Sequence, residues 1–179
     1  MHTRVFRSRR LRALVTVRPL RDGDVDTVAA LFDRLSPESR KSRFHGAKPR
    51  LSAADRALLA RVDADHHVLV AHVDGDAAPA AIARLARCLD DRRAAELAFE
   101  VADCYQRAGI GTTLVRFLLA DARAAGFTRV TADVELSNRQ ALGLLGRLLG
   151  RGALRVEGAA VRADAPLGAY AGANPEPAG

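Results

Sequence analysis

Between residues 67 and 101, three apolar runs are joined by links too short to hold a helix. Residues 67–73 and 80–89 flank Asp74-Gly75-Asp76, a hairpin-type turn, and a polar turn over 90–93 leads into Ala94–Val101. Parallel neighbours need a crossover of a dozen or more residues, so these strands are expected to form an antiparallel meander. The period then changes. Residues 102–111 read as a loop, and 111–125 as a helix with Leu114, Val115, Leu118, Ala122 and Ala125 on one stripe. Gly126 is a suitable residue just past its end. Val130, Ala132, Val134 and Leu136 alternate with Thr131, Asp133 and Glu135, giving a further strand of the same sheet.

The remaining elements are read around this frame. Residues 14–17 form a short β-like run ending at Arg18-Pro19. Asp22 is placed to cap a helix with Val25, Val28, Ala29, Phe32 and Leu35 inward. Ser36-Pro37-Glu38 opens a second helix, broken by Gly46 and Pro49, and Ser52 with Asp55 suggests a capping box for a third, running to Val62. Ser137 with Gln140 suggests another capping box, for a helix to about Leu149 that carries Ala141, Leu142, Leu145 and Leu149 inward. Residues 154–157 and 160–163 allow a final weak hairpin. This order implies an α/β architecture: a mixed, mostly antiparallel central sheet with helices on both faces.

The chain has 179 residues, enough for one domain. With two Tyr, six Phe and no Trp, the core must be mostly Ala, Leu and Val. The formal charge is +7, carried almost wholly by arginine, since Lys41 and Lys48 are the only lysines. Arg4, Arg7, Arg9, Arg10 and Arg12 crowd one end, and residues 1–13 read as a flexible basic arm. A nucleic-acid partner is the lesser reading of that arm. Ser8-Arg9-Arg10-Leu11 superficially matches a twin-arginine signal, but the apolar run after it is short and Arg18 ends it, so export is not expected. No stretch approaches the roughly 20 apolar residues of a membrane span. Cys88 and Cys104 make neither a disulfide framework nor a four-ligand metal site, and reduced thiols in the cytoplasm are expected. Cys104 reads as a buried spacer. His66 and His72 share a strand face while His67 points away, and none has a partner at metal-ligand spacing, so no metal is expected. Residues 168–179 read as a flexible tail.

The segment richest in chemistry lies between a strand and a helix: Gln106-Arg107-Ala108-Gly109-Ile110-Gly111-Thr112. Glycines at 109 and 111 let the backbone approach a ligand with no Cβ in the way. The helix that follows offers free N–H groups and the positive end of its dipole, an anion cradle suited to a diphosphate, and Arg107 adds a charge there. The dinucleotide and Walker fingerprints are both absent.

Gln106-Arg107-Ala108-Gly109-Ile110-Gly111 resembles the acetyl-CoA loop of the GNAT N-acetyltransferases. Ala94–Val101 resembles that family's fourth strand, Ser137-Asn138 with Ala141 the start of its next helix, and Arg18-Pro19 with Asp24 its opening. Leu35-Ser36-Pro37-Glu38-Ser39-Arg40 and Arg43-Phe44 resemble the Pat-type protein lysine acetyltransferases. The resemblance covers residues 14–167 and implies a GNAT domain whose fourth and fifth strands splay apart around the cofactor.

It implies further that the backbone of Gln106, Arg107, Ala108, Gly109, Ile110, Gly111 and Thr112 holds the CoA diphosphate. The pantetheine arm would run beside Val101, and the side chain of Asn138 would contact the coenzyme. A primary amine, on a protein lysine or a small molecule, would attack the thioester directly. Such an amine has a solution pKa near ~10.4 and needs a base. Glu96 matches the glutamate base of Pat-like enzymes; Glu100, on the same strand face, is the second candidate and Asp133 a third. A backbone N–H near Val101 would stabilise the oxyanion. Many GNAT enzymes carry a tyrosine general acid where this chain has Leu145, and Gly150-Arg151 stands where Gly-Phe is usual. Phe44 and His45 are expected on the acceptor side, with core packing an equal reading for Phe44. The alternative is a GNAT-fold module that binds acyl-CoA without catalysis.

Overall fold

The structure is a computed structural model describing residues 2–169. Eight strands form one sheet in the order β1-β2-β3-β4-β5-β6-β8-β7. They are β1 (Arg4–Ser8), β2 (Ala13–Pro19), β3 (His66–Val73), β4 (Pro79–Arg87), β5 (Ala94–Val101), β6 (Arg129–Glu135), β7 (Leu154–Glu157) and β8 (Ala160–Pro166). Every adjacent pair is antiparallel except β5 with β6. The helices are α1 (Val25–Asp33), α2 (Pro37–Phe44), α3 (Ala53–Leu59), α4 (Ile110–Ala124) and α5 (Arg139–Leu149). The meander and the final hairpin are present as expected, with β8 three residues longer than the reading.

Alternation assigns the two faces. Leu69, Ala71, Ala81, Ala83, Leu85 and Leu97 pack with Leu114 and Leu118 of α4 and Leu145 of α5. Val68, Val70 and Ile82 point the other way, to Val28 and Leu31 of α1. Each fully buried leucine contributes roughly 1.5–3 kcal/mol. Alanines at 80, 81 and 83, all fully buried, let α4 lie close on β4.

Several local expectations change. Residues 4–8 are an edge strand rather than a loose arm, because Arg4–Ser8 pair with Val17–Ala13. Arg4 also bridges to Asp121 of α4, whose second partner is His67 Nε2 at 3.0 Å. The extra strand shifts the count by one, so the family's fourth and fifth strands are β5 and β6. The α1 cap is Asp24, whose side chain accepts from Thr27 N–H; Asp22 instead accepts the Val62 N–H at 2.8 Å. The Ser52–Asp55 capping box is present, but α3 stops at Leu59. Asn138 rather than Ser137 caps α5, accepting from Ala141 N–H at 3.0 Å. Leu167–Ala169 form a short 3₁₀ turn; the rest of the expected tail lies outside the described residues. Among those residues, no helix is long and apolar enough to cross a membrane.

Candidate functional site

The site is set by a break in strand pairing. β5 pairs with β4 along its whole length, to Val101↔Ala81. On its other edge it pairs with β6 only through Ala94, Ala95 and Glu96. From Leu97 to Val101 the β6-facing edge of β5 has no strand partner, although the Val101 carbonyl accepts from the Gln106 side-chain amide at 3.4 Å, so a V-shaped seam opens towards the loop at 102–109. A cavity of about 930 Å³ occupies it. Phe99, Val101 and Leu144 line it on the α4–α5 side of the sheet, and Glu100, Arg43, Ser42 and Ser39 on the α1–α3 side.

At the wide end of the seam lies the glycine loop. Gly109 is the N-cap of α4, with φ +83°, and it offers no side chain to the helix's first N–H groups. Arg107 is also left-handed, at φ +61°. A Cβ on Gly111 would meet Val101 Cγ2 at 3.1 Å, so a larger residue there would have to push the Val101 side chain back by a few tenths of an ångström. Ser8, 2 % exposed, donates its hydroxyl to the Ala108 carbonyl at 2.8 Å. The loop's carbonyl is thereby engaged on the β1 side while Gly109, Gly111 and Thr112 line the cavity. Arg107, Arg139 and Arg147 add positive charge to its wall. Open amides, a missing Cβ, basic walls and a free strand edge together fit a diphosphate with an extended amide-containing arm.

Of the expected binding residues, Val101, Gln106, Arg107, Gly109, Gly111, Thr112 and Asn138 line this cavity, whereas Ala108 and Ile110 are buried beneath it. The Asn138 Oδ1 is occupied by the cap. The Gln106 amide reaches Ser39 Oγ at 3.2 Å, tying the loop to α2.

The candidate bases are treated very differently. Glu100 sits between two arginines: Arg43 Nε donates to it at 2.7 Å and Arg84 Nη2 at 2.9 Å, and its side chain is 8 % exposed. Burial pushes its pKa up, but the two guanidinium charges and their hydrogen bonds more than offset that and hold it below the ordinary carboxylate range. Glu100 is thus a poor proton acceptor and a structural ion. Glu96 is exposed, forms no ion pair or side-chain hydrogen bond among the described residues, and lies where the seam closes. It shares a sheet face with Glu100 but is not on the cavity wall. Asp133 is exposed and bridges to Arg162 at 3.3 Å.

Leu145 is fully buried in the core. Tyr105, not among the expected site residues, lines the cavity, but its hydroxyl donates to Asp76 at 2.7 Å and that bond raises its pKa. Cys104 is exposed rather than a buried spacer, within 3.5 Å of Arg34 Nη2. Phe44 packs on Phe32, ring centroids 5.8 Å apart, and lines a small separate pocket; His45 is the exposed left-handed end of α2. Neither lines the main cavity. His66 is held by Asp63 at 2.8 Å.

Residues 28–150 match the acetyltransferase (GNAT) family model. The chain belongs to the GNAT acetyltransferase family. An acetyltransferase of Pseudomonas aeruginosa is 33 % identical over 145 residues, which cover 74 % of this chain and 76 % of the relative. Among solved structures, the GNAT domain of S. lividans PAT superposes with a TM-score of 0.80 at 26 % identity, covering 92 % of this chain and 96 % of that one. A cAMP-binding acyltransferase from Mycobacterium smegmatis gives 0.63 at 25 % identity; this GNAT chain, 95 % covered, spans 49 % of it. The Salmonella typhimurium protein yncA, a putative acetyltransferase solved with acetyl-CoA, gives 0.65 at 17 % identity, over 88 % of this chain and 96 % of that one, and shares the fold.

Proposed function

We propose that this GNAT protein transfers an acetyl group from acetyl-CoA to a primary amine, with Glu96 as general base. The observation that carries the reading is the single cavity that passes from the α4 N-terminus, through the β5/β6 seam, to the polar wall of α2. Acetyl-CoA would supply an activated acyl carbonyl; the chain supplies its placement. Amides at 109–112 hold the diphosphate, with Arg107 beside them. The free edge of Leu97–Val101 receives the amide groups of the arm, and a backbone N–H of that edge meets the developing oxyanion. The arm runs towards the closed end of the seam, where Glu96 is free to take the amine's proton, directly or through water. Glu100 cannot share that task while two guanidinium groups hold its charge. With Leu145 in the core, the chain offers no hydroxyl from α5 to the leaving thiolate.

Protein lysines and small-molecule amines both belong to the proposed acceptor range. The position of Glu96 outside the cavity wall favours one second reading, a module that binds acyl-CoA without turnover. Thiol release from acetyl-CoA in the presence of amine panels separates the two. The enzyme reading expects acceptor-dependent release that Glu96→Gln slows steeply; release that Glu96→Gln leaves intact removes Glu96 from the mechanism.

A further inference from the structure

Around Glu100 the charges do not balance. Arg43, Arg84 and Glu100 have side chains only 18, 12 and 8 % exposed. They sum to one net positive charge, and a charge withdrawn from water is costly unless an anion meets it. Arg84 is fully committed inward: it donates to the Leu59 carbonyl at 2.6 Å and to Glu100, and its Nε is buried without a partner. Arg43 is different. It touches Glu100 through Nε, and its terminal Nη groups have no hydrogen-bond partner among the described residues. The Phe44 ring, 5.1 Å from the guanidinium carbon, helps fix its plane. Arg43 lines the cavity on the α1–α3 face, beside Ser39 and Ser42. Asp103, also on the cavity wall, is engaged by the Ser36 N–H and the Gln106 amide, and Glu38 stands exposed in the first turn of α2.

We infer that the acceptor amine carries a carboxylate of its own, and that Arg43 holds it. The inference rests on the acetyl-transfer reading and narrows it, from amines in general to free amino acids and similar amino-carboxylates. Two Nη groups on one planar fork match a carboxylate, which would balance the cluster's surplus charge. A plain alkylammonium would instead meet the cluster's surplus positive charge at Arg43, with Glu38 and Asp103 the other carboxylates on the cavity wall. Arg43 is here a specificity residue, not a catalytic one.

The test is calorimetric titration of the CoA-saturated protein with matched pairs: phenylalanine and phenethylamine, leucine and isopentylamine, lysine and cadaverine, histidine and histamine. The expected result is that at least one amino acid binds about tenfold or more tightly than its decarboxylated partner. Arg43→Gln should collapse that ratio towards one, and Arg43→Lys should restore part of it. Equal or tighter binding of the decarboxylated amines overturns the inference. So does the failure of every amino acid to bind, or a ratio unchanged in Arg43→Gln. The wild-type comparison decides the matter if the variant does not fold. Titration with acetyl-CoA alone reports on the parent reading: absence of that binding sinks acetyl transfer, whereas its presence without amino-acid preference sinks only the carboxylate.

Discussion

The hydroxyl of Ser8 donates to the carbonyl of Ala108 at 2.8 Å, joining the edge strand to the glycine loop across a hundred residues of chain. The bond is buried, so removing the donor leaves a carbonyl without its partner. Ser8→Ala is expected to cost about 1–3 kcal/mol in urea denaturation. It should also weaken acetyl-CoA binding, because the loop it steadies holds the diphosphate. Unchanged affinity would show that the loop needs no such anchor.

Two glycines of the loop make a second expectation. Gly109→Ala puts a side chain on a left-handed residue and should cost about 1–2 kcal/mol. Gly111→Ala presses on Val101, its Cβ 3.1 Å from Cγ2. Both should lower affinity for acetyl-CoA. Gly126→Ala, left-handed at φ +85° beyond α4 and away from the cavity, is the control. It should lose comparable stability and keep affinity. If all three lose affinity alike, the effect is one of folding.

Glu96 and Glu100 should separate cleanly. Glu96→Gln is expected to lower kcat about 10²- to 10⁴-fold with little change in melting temperature. Glu100→Gln strands two buried arginines and should destabilise the fold by about 3–5 kcal/mol. Steady-state kinetics with thermal denaturation of both variants checks this; a stable Glu100→Gln protein would mean the ion cluster is unimportant.

Stability should fall on acidification. Glu100 and Asp121 are both held below their ordinary carboxylate range in the folded state: burial pushes each up, while Arg43 and Arg84 for Glu100, and His67 and Arg4 for Asp121, pull harder down. A depressed folded value means the stabilisation is complete above the unfolded value and is lost as pH falls through the folded one. Urea midpoints should therefore begin a gentle fall near pH 6.5, because burial also lowers the His72 pKa, and drop more steeply below about pH 5 as the two carboxylates are lost. The drop should be shallower in Glu100→Gln, which has one fewer such group.

The meander was legible because Asp74-Gly75-Asp76 and residues 90–93 are too short to permit anything else. The cradle was legible because Gly109 and Gly111 have a local backbone purpose. What the sequence concealed was long-range. Nothing near Arg4–Ser8 announces that β2 has a free edge to receive it, so basic side chains masked an alternating strand. The fate of Glu100 depends on Arg43 and Arg84, 57 and 16 residues away. The caps lie one or two residues from the expected ones, Asp24 rather than Asp22 and Asn138 rather than Ser137, because nearby polar residues suit the position equally and only the chain's path chooses.

The central claim is that the α4 N-terminus and the β5/β6 seam together receive acetyl-CoA. A crystal structure of the protein with acetyl-CoA tests it most directly. Diphosphate oxygens are predicted within about 2.7–3.2 Å of the amides at 109–112, with the thioester beside the free edge of Leu97–Val101. Coenzyme bound elsewhere, or a seam closed by β5–β6 pairing through to Val101, would contradict it.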